Sequence, residues 1–208
     1  MKPTVANGGS VTTPGSWNVV TSITGAGGYG STLGADTGNT NLFVYERTVP
    51  AGGLSGTLAV TVGTNNVCWA FMSRLTNSSN YVWDSVAGAT GSDTTAGNVD
   101  ITFGSNPGVT ANDFIIGAMC IPTDVGGGTQ FSAQAFTQTS VTFGTVTEIN
   151  EASSSTGNDI GGFSCRALVS SGTGSANPQM TATAGGTTTN VRGPGVFIRI
   201  REKNNLIT

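Results

Sequence analysis

The chain has 208 residues, of which 32 are Gly, and its 8 basic and 11 acidic side chains leave a net charge of −3. Only 9% of residues are charged, too few cations for a run of phosphate contacts, while 37% are hydrophobic, too many for a disordered chain. No apolar stretch of about 18 residues exists to span a membrane, and the opening Met1-Lys2-Pro3-Thr4 leads into VANGGSVTTPG rather than an apolar signal core, so neither insertion nor signal-directed export is expected.

Residues 1–16 hold Pro3, Pro14 and several glycines and read as an extended N-terminal arm. The first predicted strand is Trp17 to Thr24, followed by the glycine-rich GAGGYGSTLGADTGN and a second strand from Thr40 to Val49, stopped by Pro50. TLAVTV (Thr57 to Val62) and VCWAFMSRL (Val67 to Leu75) flank GTNN and predict a hairpin. YVWDSVA comes next, then a polar loop from Gly88 to Gly97, NVDITFG, and NDFIIGAMCI ended by Pro122. FSAQAFT, FGTVTEINEA, IGGFSCRALVS, PQMTATA and GVFIRIRE complete the series.

Turn signals recur about every ten residues and no segment sustains a helical apolar period, which predicts an all-β, antiparallel, jelly-roll-like β-sandwich. The expected organisation is the arm, a single domain over 17–202 and a tail over 203–208. In the last strand, period two places Val196, Ile198 and Ile200 on the core side. Phe197, Arg199 and Arg201 fall on the other side as a candidate contact surface.

With no histidine in the chain, the usual general base and every Ser-His or Cys-His dyad are missing. The remaining candidates for acid chemistry are Glu148 with Glu151 and Asp84 with Asp93. On a regular strand, residues three apart point to opposite sides, so Glu148 and Glu151 read as solvated acids. Asp36, Asp124 and Gly157 to Asp159 lie in glycine-rich loops without the spacing of a calcium loop, and read as turn formers. GAGGYG, Gly25 to Gly30, lacks the Lys-Ser/Thr of a phosphate loop. Cys68, Cys120 and Cys165 sit in or beside apolar runs and read as buried, reduced thiols. No cofactor or metal is expected.

Among Trp17, Trp69, Trp83, Tyr29, Tyr45 and Tyr81, the pair Tyr81 and Trp83 shares one strand face and is the candidate glycan contact; the others read as core aromatics.

The ordered segments PGSW, LFVYERTVPAG, VCWAFMSRL, DFIIGAMCIPTD, FGTVTEINEASSSTGNDIGGF and TATAGGTTTNVRGPGVFIRIRE, from Pro14 to Glu202, resemble small β-sandwich virion proteins of tailed bacteriophages. The resemblance implies a structural protein rather than an enzyme, most simply a capsid decoration or cement protein. It would assemble in the host cytoplasm, leave by lysis, and bind the major capsid protein and copies of itself, a trimer being one arrangement. Nucleic acid and membrane are not expected partners. The alternatives are a tail-fibre or receptor-binding module for host glycans and a carboxylate-dependent glycan hydrolase.

Overall fold

A computed structural model describes residues 1–3, 9–29, 34–35, 37–63, 65–76, 81–123, 130–154, 158–185 and 191–204. These residues form thirteen strands and no helix. In chain order the strands are β1 (Lys2–Pro3), β2 (Asn18–Tyr29), β3 (Gly38–Glu46), β4 (Asn65–Val67), β5 (Tyr81–Asp93), β6 (Val99–Thr102) and β7 (Phe114–Ile121). They continue as β8 (Phe131–Thr137), β9 (Val141–Phe143), β10 (Thr147–Ser154), β11 (Ile160–Gly172), β12 (Gln179–Ala184) and β13 (Gly193–Asn204).

From β5 onward the antiparallel pairs are nested. β5 pairs β13, β6 pairs β12, and β7 pairs β11, as in one long hairpin rolled up so that alternate pairs fall into different sheets. The larger sheet runs β10-β11-β7-β13-β5, with β9 also on β11, and the smaller runs β6-β12-β8. This winding is the jelly-roll sandwich that the turn rhythm predicts.

Between the two sheets lies the main core. It takes Ile115, Met119 and Ile121 from β7, Phe163 and Cys165 from β11 and Phe197 from β13, against Val99 and Ile101 from β6, Phe131 and Phe136 from β8 and Met180 from β12. The other face of the large sheet is covered as well. The β2–β3 hairpin packs Val20, Ile23, Leu42 and Val44 over Ala118, Val196, Ile198 and Ile200, and Leu75 joins this second core.

Three sequence expectations change here. The polar stretch from Gly88 is not a loop: β5 continues through it to Asp93, paired with β13 as far as Gly193. Its small residues are close-approach positions. A Cβ at Gly88 would lie 2.9 Å from Thr21 of β2, and one at Gly91 would lie 2.8 Å from Ile101 of β6. The hairpin expected across GTNN does not form: residues 57–62 make one isolated bridge, Val11 to Val62, and the following run enters a ladder only as β4. The partners of these runs are the first residues of the chain, which the sequence reading had assigned to an outstretched arm. Val67 and Asn65 pair Lys2 and Pro3, and Gly63 N–H donates to Ser10 O at 2.7 Å.

The arm is therefore folded back on its own chain. Met1 is 8% exposed and Lys2 fully buried. Four carbonyl oxygens share the three N–H groups of the Lys2 ammonium, those of Pro122 (2.6 Å), Gly34 (2.7 Å), Ala35 (2.8 Å) and Asp159 (2.9 Å). An ammonium is buried only where such acceptors replace its hydration, so Lys2 ties the N-terminus to the ends of β7 and β11.

Candidate interaction surfaces

β13 lies between β7 and β5 in its sheet, so both of its edges are paired, while the smaller sheet covers one of its faces and the β2–β3 hairpin the other. Phe197, expected to point outward, is 0% exposed, and its ring centroid lies 5.4 Å from that of Phe136 and 5.5 Å from that of Phe103. It offers no surface to a partner, and a contact through this ring is withdrawn. Arg199 follows it inward at 6% exposure, donating from Nη2 to Ser85 Oγ at 3.1 Å while its Nε has no hydrogen-bond acceptor. Burial, and secondarily the neighbouring Arg201 charge, push the Arg199 guanidinium below its ordinary pKa, with Asp113 and Asp84 opposing.

Arg201 reaches the surface at the end of this row, its side chain 29% exposed against 1% for its partner Asp113. Its Nε and Nη2 donate to the two Asp113 carboxylate oxygens, both at 2.7 Å, and Nη2 also donates to Thr110 Oγ1 and Gly108 O. Asp113 further accepts the Thr110 N–H at 2.7 Å. The hydrogen bonds that Arg201 donates to Asp113 raise its pKa. This two-pronged pair holds the 108–113 turn against β13, a structural task that period-two reading does not reveal.

Tyr81 and Trp83 keep the exposure that a contact requires, at 40% and 36%, at the start of β5, the edge strand of the large sheet. Of the other aromatics, Trp17 and Trp69 are half-buried, and Tyr45 donates its hydroxyl to Val11 O at 3.1 Å, burial raising its pKa. The side chain of Tyr29 lies outside the described residues.

The acidic pairs resolve differently from expectation. A bulge between Glu148 and Asn150 shifts the register of β10 against β11, so Glu148 and Glu151 both reach toward β8 instead of to opposite sides. Gln134 Nε2 donates to Glu148 at 2.7 Å, and Glu151 accepts the N–H groups of Phe131 (3.0 Å) and Gln130 (3.3 Å). These carboxylates join β8 to β10, where no ladder joins them. Desolvation, then the Glu151 charge, raises the Glu148 pKa above the ordinary carboxylate value.

Asp93 is 1% exposed and accepts the N–H of Thr95 and of Asp100, both at 2.8 Å, which makes it the turn cap between β5 and β6. Asp84 sits nine positions away on the same strand, 3.5 Å from the Lys203 ammonium. Of the loop candidates for calcium, Asp36, Asp124 and Gly157 lie outside the described residues. Asp159 donates its N–H to Ala35 O at 2.9 Å. No group of three or more His, Cys, Asp or Glu side chains is placed to hold a metal among the described residues.

Cys120 and Cys165 are buried as expected, whereas Cys68 is exposed. The apolar run VCWAFM reads as buried throughout, but its exposure alternates: Val67 and Trp69 are half-buried, and Cys68 and Ala70 face out. Burial pushes the Cys165 thiol up to about 12. A thiolate is the reactive form, so a colorimetric thiol reagent is expected to modify one cysteine, Cys68, in native protein and all three after unfolding. Rapid modification of three in the native state would contradict this core.

A shallow hollow of about 290 Å³ lies where Arg74 and Leu75 cross the second face of the large sheet beside Phe114, Ile116, Glu148 and Arg166. Val49 (41%), Leu54 (46%), Leu58 (42%), Val60 (44%), Phe71 (36%) and Met72 (74%) are exposed in residues 48–76, where Arg74 is the sole charged residue.

Comparison of the chain with protein-family models, with curated proteins and with solved structures gives no match.

Proposed function

We propose that this protein is a non-enzymatic structural protein of a tailed-phage virion, a decoration or cement protein that binds the major capsid protein and copies of itself across the outer shell. The observation that carries the proposal is the nearly uncharged segment 48–76 with its exposed apolar side chains, on a jelly-roll sandwich. Six large apolar side chains there are at least one-third exposed with a single charge among them. Apolar surface left exposed marks protein contacts where it gathers, and interface cores are poor in ions. Stable contacts need only surface burial, about 1,200 to 2,000 Å² in total, and no reactive group. The first two residues take no part in this contact, because Met1 and Lys2 are buried within their own chain. Residues 205–208 of the C-terminal tail lie outside the described residues.

The test is gold-labelled antibody imaging of tailed-phage particles made by a host that carries the gene. Label spread over the heads is the expected result. Particles without label, or label confined to the tail tip, would overturn the decoration role. A tail-tip location would favour a host-glycan module, for which the exposed Tyr81 and Trp83 pair is the supporting observation. In that case a Tyr81→Ala/Trp83→Ala double variant should lose binding on a glycan array.

A further inference from the structure

The second face of the large sheet is covered only in part. The β2–β3 hairpin packs there on Ala118 of β7 and on Val196, Ile198 and Ile200 of β13. On β11, Cys165, Ala167 and Val169 enter the main core, so period two turns Arg166 and Leu168 to the second face, where both are exposed. Arg166 stands across the ladder from Ile116, and Leu168 from Phe114. Arg74 and Leu75, from a distant part of the chain, join Arg166, Phe114 and Ile116 in lining the hollow of about 290 Å³. Two guanidiniums therefore share one hollow with an apolar lining. Neither has a hydrogen bond or an ion pair among the described residues.

The one acid that also lines the hollow, Glu148, does not answer these charges. Its carboxylate accepts Gln134 Nε2 at 2.7 Å, and desolvation and then the Glu151 charge raise its pKa, with no arginine lowering it. Arg201 and Lys203, by contrast, each face an aspartate. A guanidinium offers parallel N–H donors that match a carboxylate, and small-ligand sites combine a few such polar groups with apolar walls. We infer that this hollow binds a carboxylate carried on an apolar body, the acid held by Arg74 and Arg166 and the body resting on Leu75, Phe114 and Ile116. The volume stands near the small end of the roughly 300 to 1,000 Å³ of ligand sites, so the body is one aromatic or aliphatic group. An inorganic oxyanion would leave the apolar lining unused, and a sugar acid would bring hydroxyls for which that lining has few partners. The same chemistry is found in a free small acid and in an acidic side chain beside apolar ones on another protein. The site is independent of the virion reading, which labelled particles test separately.

The experiment titrates the isotope-labelled full chain with 3-phenylpropionate and follows the methyl signals of Leu75 and Ile116 by NMR. Saturable shifts concentrated on these methyls are the expected result. Arg74→Met and Arg166→Met should each raise the dissociation constant about tenfold, and the uncharged amide of the probe should bind wild type about tenfold more weakly or worse. Both arginines are exposed, so unchanged melting of the variants by circular dichroism is expected and separates a lost site from a lost fold. Inorganic phosphate at the same concentration should leave the methyls unmoved. A second arm uses a capped Phe-Glu-Leu peptide. Tighter binding than that of the free acid assigns the site to an acidic side chain of a partner protein, and equal or weaker binding assigns it to a small acid. No saturable shift with either probe, an amide or phosphate that binds as tightly as the acid, or arginine variants that bind as wild type does would each overturn the site and leave Arg74 and Arg166 as solvated surface charges.

Discussion

Phe197→Ala is expected to destabilise the fold by about 3 to 5 kcal/mol, measured by urea unfolding in the monomeric concentration range. The ring has no solvent-accessible surface and stands among Phe103, Phe136 and Phe143, with centroids 5.4 to 6.3 Å away and the Phe136 and Phe143 planes edge-on. Truncation removes the ring's transfer energy and also opens a cavity that its neighbours cannot easily close. Across the ladder from Phe197 stands Gly117, where a Cβ would lie 2.6 Å from the Phe136 ring, so the aromatic cluster is already packed to the backbone on that side. Native domains hold only about 5 to 15 kcal/mol in total, so this one side chain carries a large share. By contrast, Ile198→Val on the opposite face should cost about 0.5 to 1.5 kcal/mol. A Phe197→Ala cost within about 0.5 kcal/mol, the ordinary range for a surface position, would mean that the ring faces solvent and the two-sheet core is wrong.

The same strand explains how far the sequence could be read. Alternation reports which residues share a face, and it did so for Val196, Ile198 and Ile200, which sit together under the β2–β3 hairpin. It cannot report that the opposite face is buried too, because an aromatic followed by two arginines looks like an outer face unless the pairing of Arg201 with Asp113, 88 positions earlier, is known. β5 failed as a strand prediction beyond Ala87 for a related reason. Gly88 and Gly91 are placed by neighbours on both sides, and glycine chosen for close approach has the same letter as glycine chosen for a turn. Glu148 and Glu151 were assigned to opposite sides because a one-residue bulge leaves no mark in the local sequence. The runs at Thr57 and Val67 have strand composition, but Val62 and Val67 pair with Val11 and Lys2 rather than with each other, and a partner so far away in the chain leaves no mark in the segment. For Tyr81 and Trp83, the shared face that period two gives agrees with their exposure on the edge strand.

The Arg201–Asp113 pair gives the second large effect, and its two halves are unequal. Arg201→Met should cost about 3 to 5 kcal/mol, because it leaves the Asp113 carboxylate, 1% exposed, buried without its two-pronged partner. Asp113→Asn should cost less, about 2 kcal/mol, since the guanidinium it releases is 29% exposed and can recover water. Asparagine also retains an oxygen to accept the Thr110 N–H, which the carboxylate accepts at 2.7 Å. Combining the two substitutions should cost less than their sum, because the second removal no longer strands a charge. The measurement is a double-mutant cycle by urea unfolding. Because Asp113 ties the 108–113 turn to β13, hydrogen exchange at Ala111 and Asn112, whose N–H groups donate to Gly172 O and Val169 O at 2.9 Å, should quicken in either single variant before the core amides change. Equal costs for the two halves would mean that Asp113 is solvated. Costs below about 0.5 kcal/mol would reduce the pair to an ordinary surface contact, and the turn would then have to be held by its backbone hydrogen bonds alone.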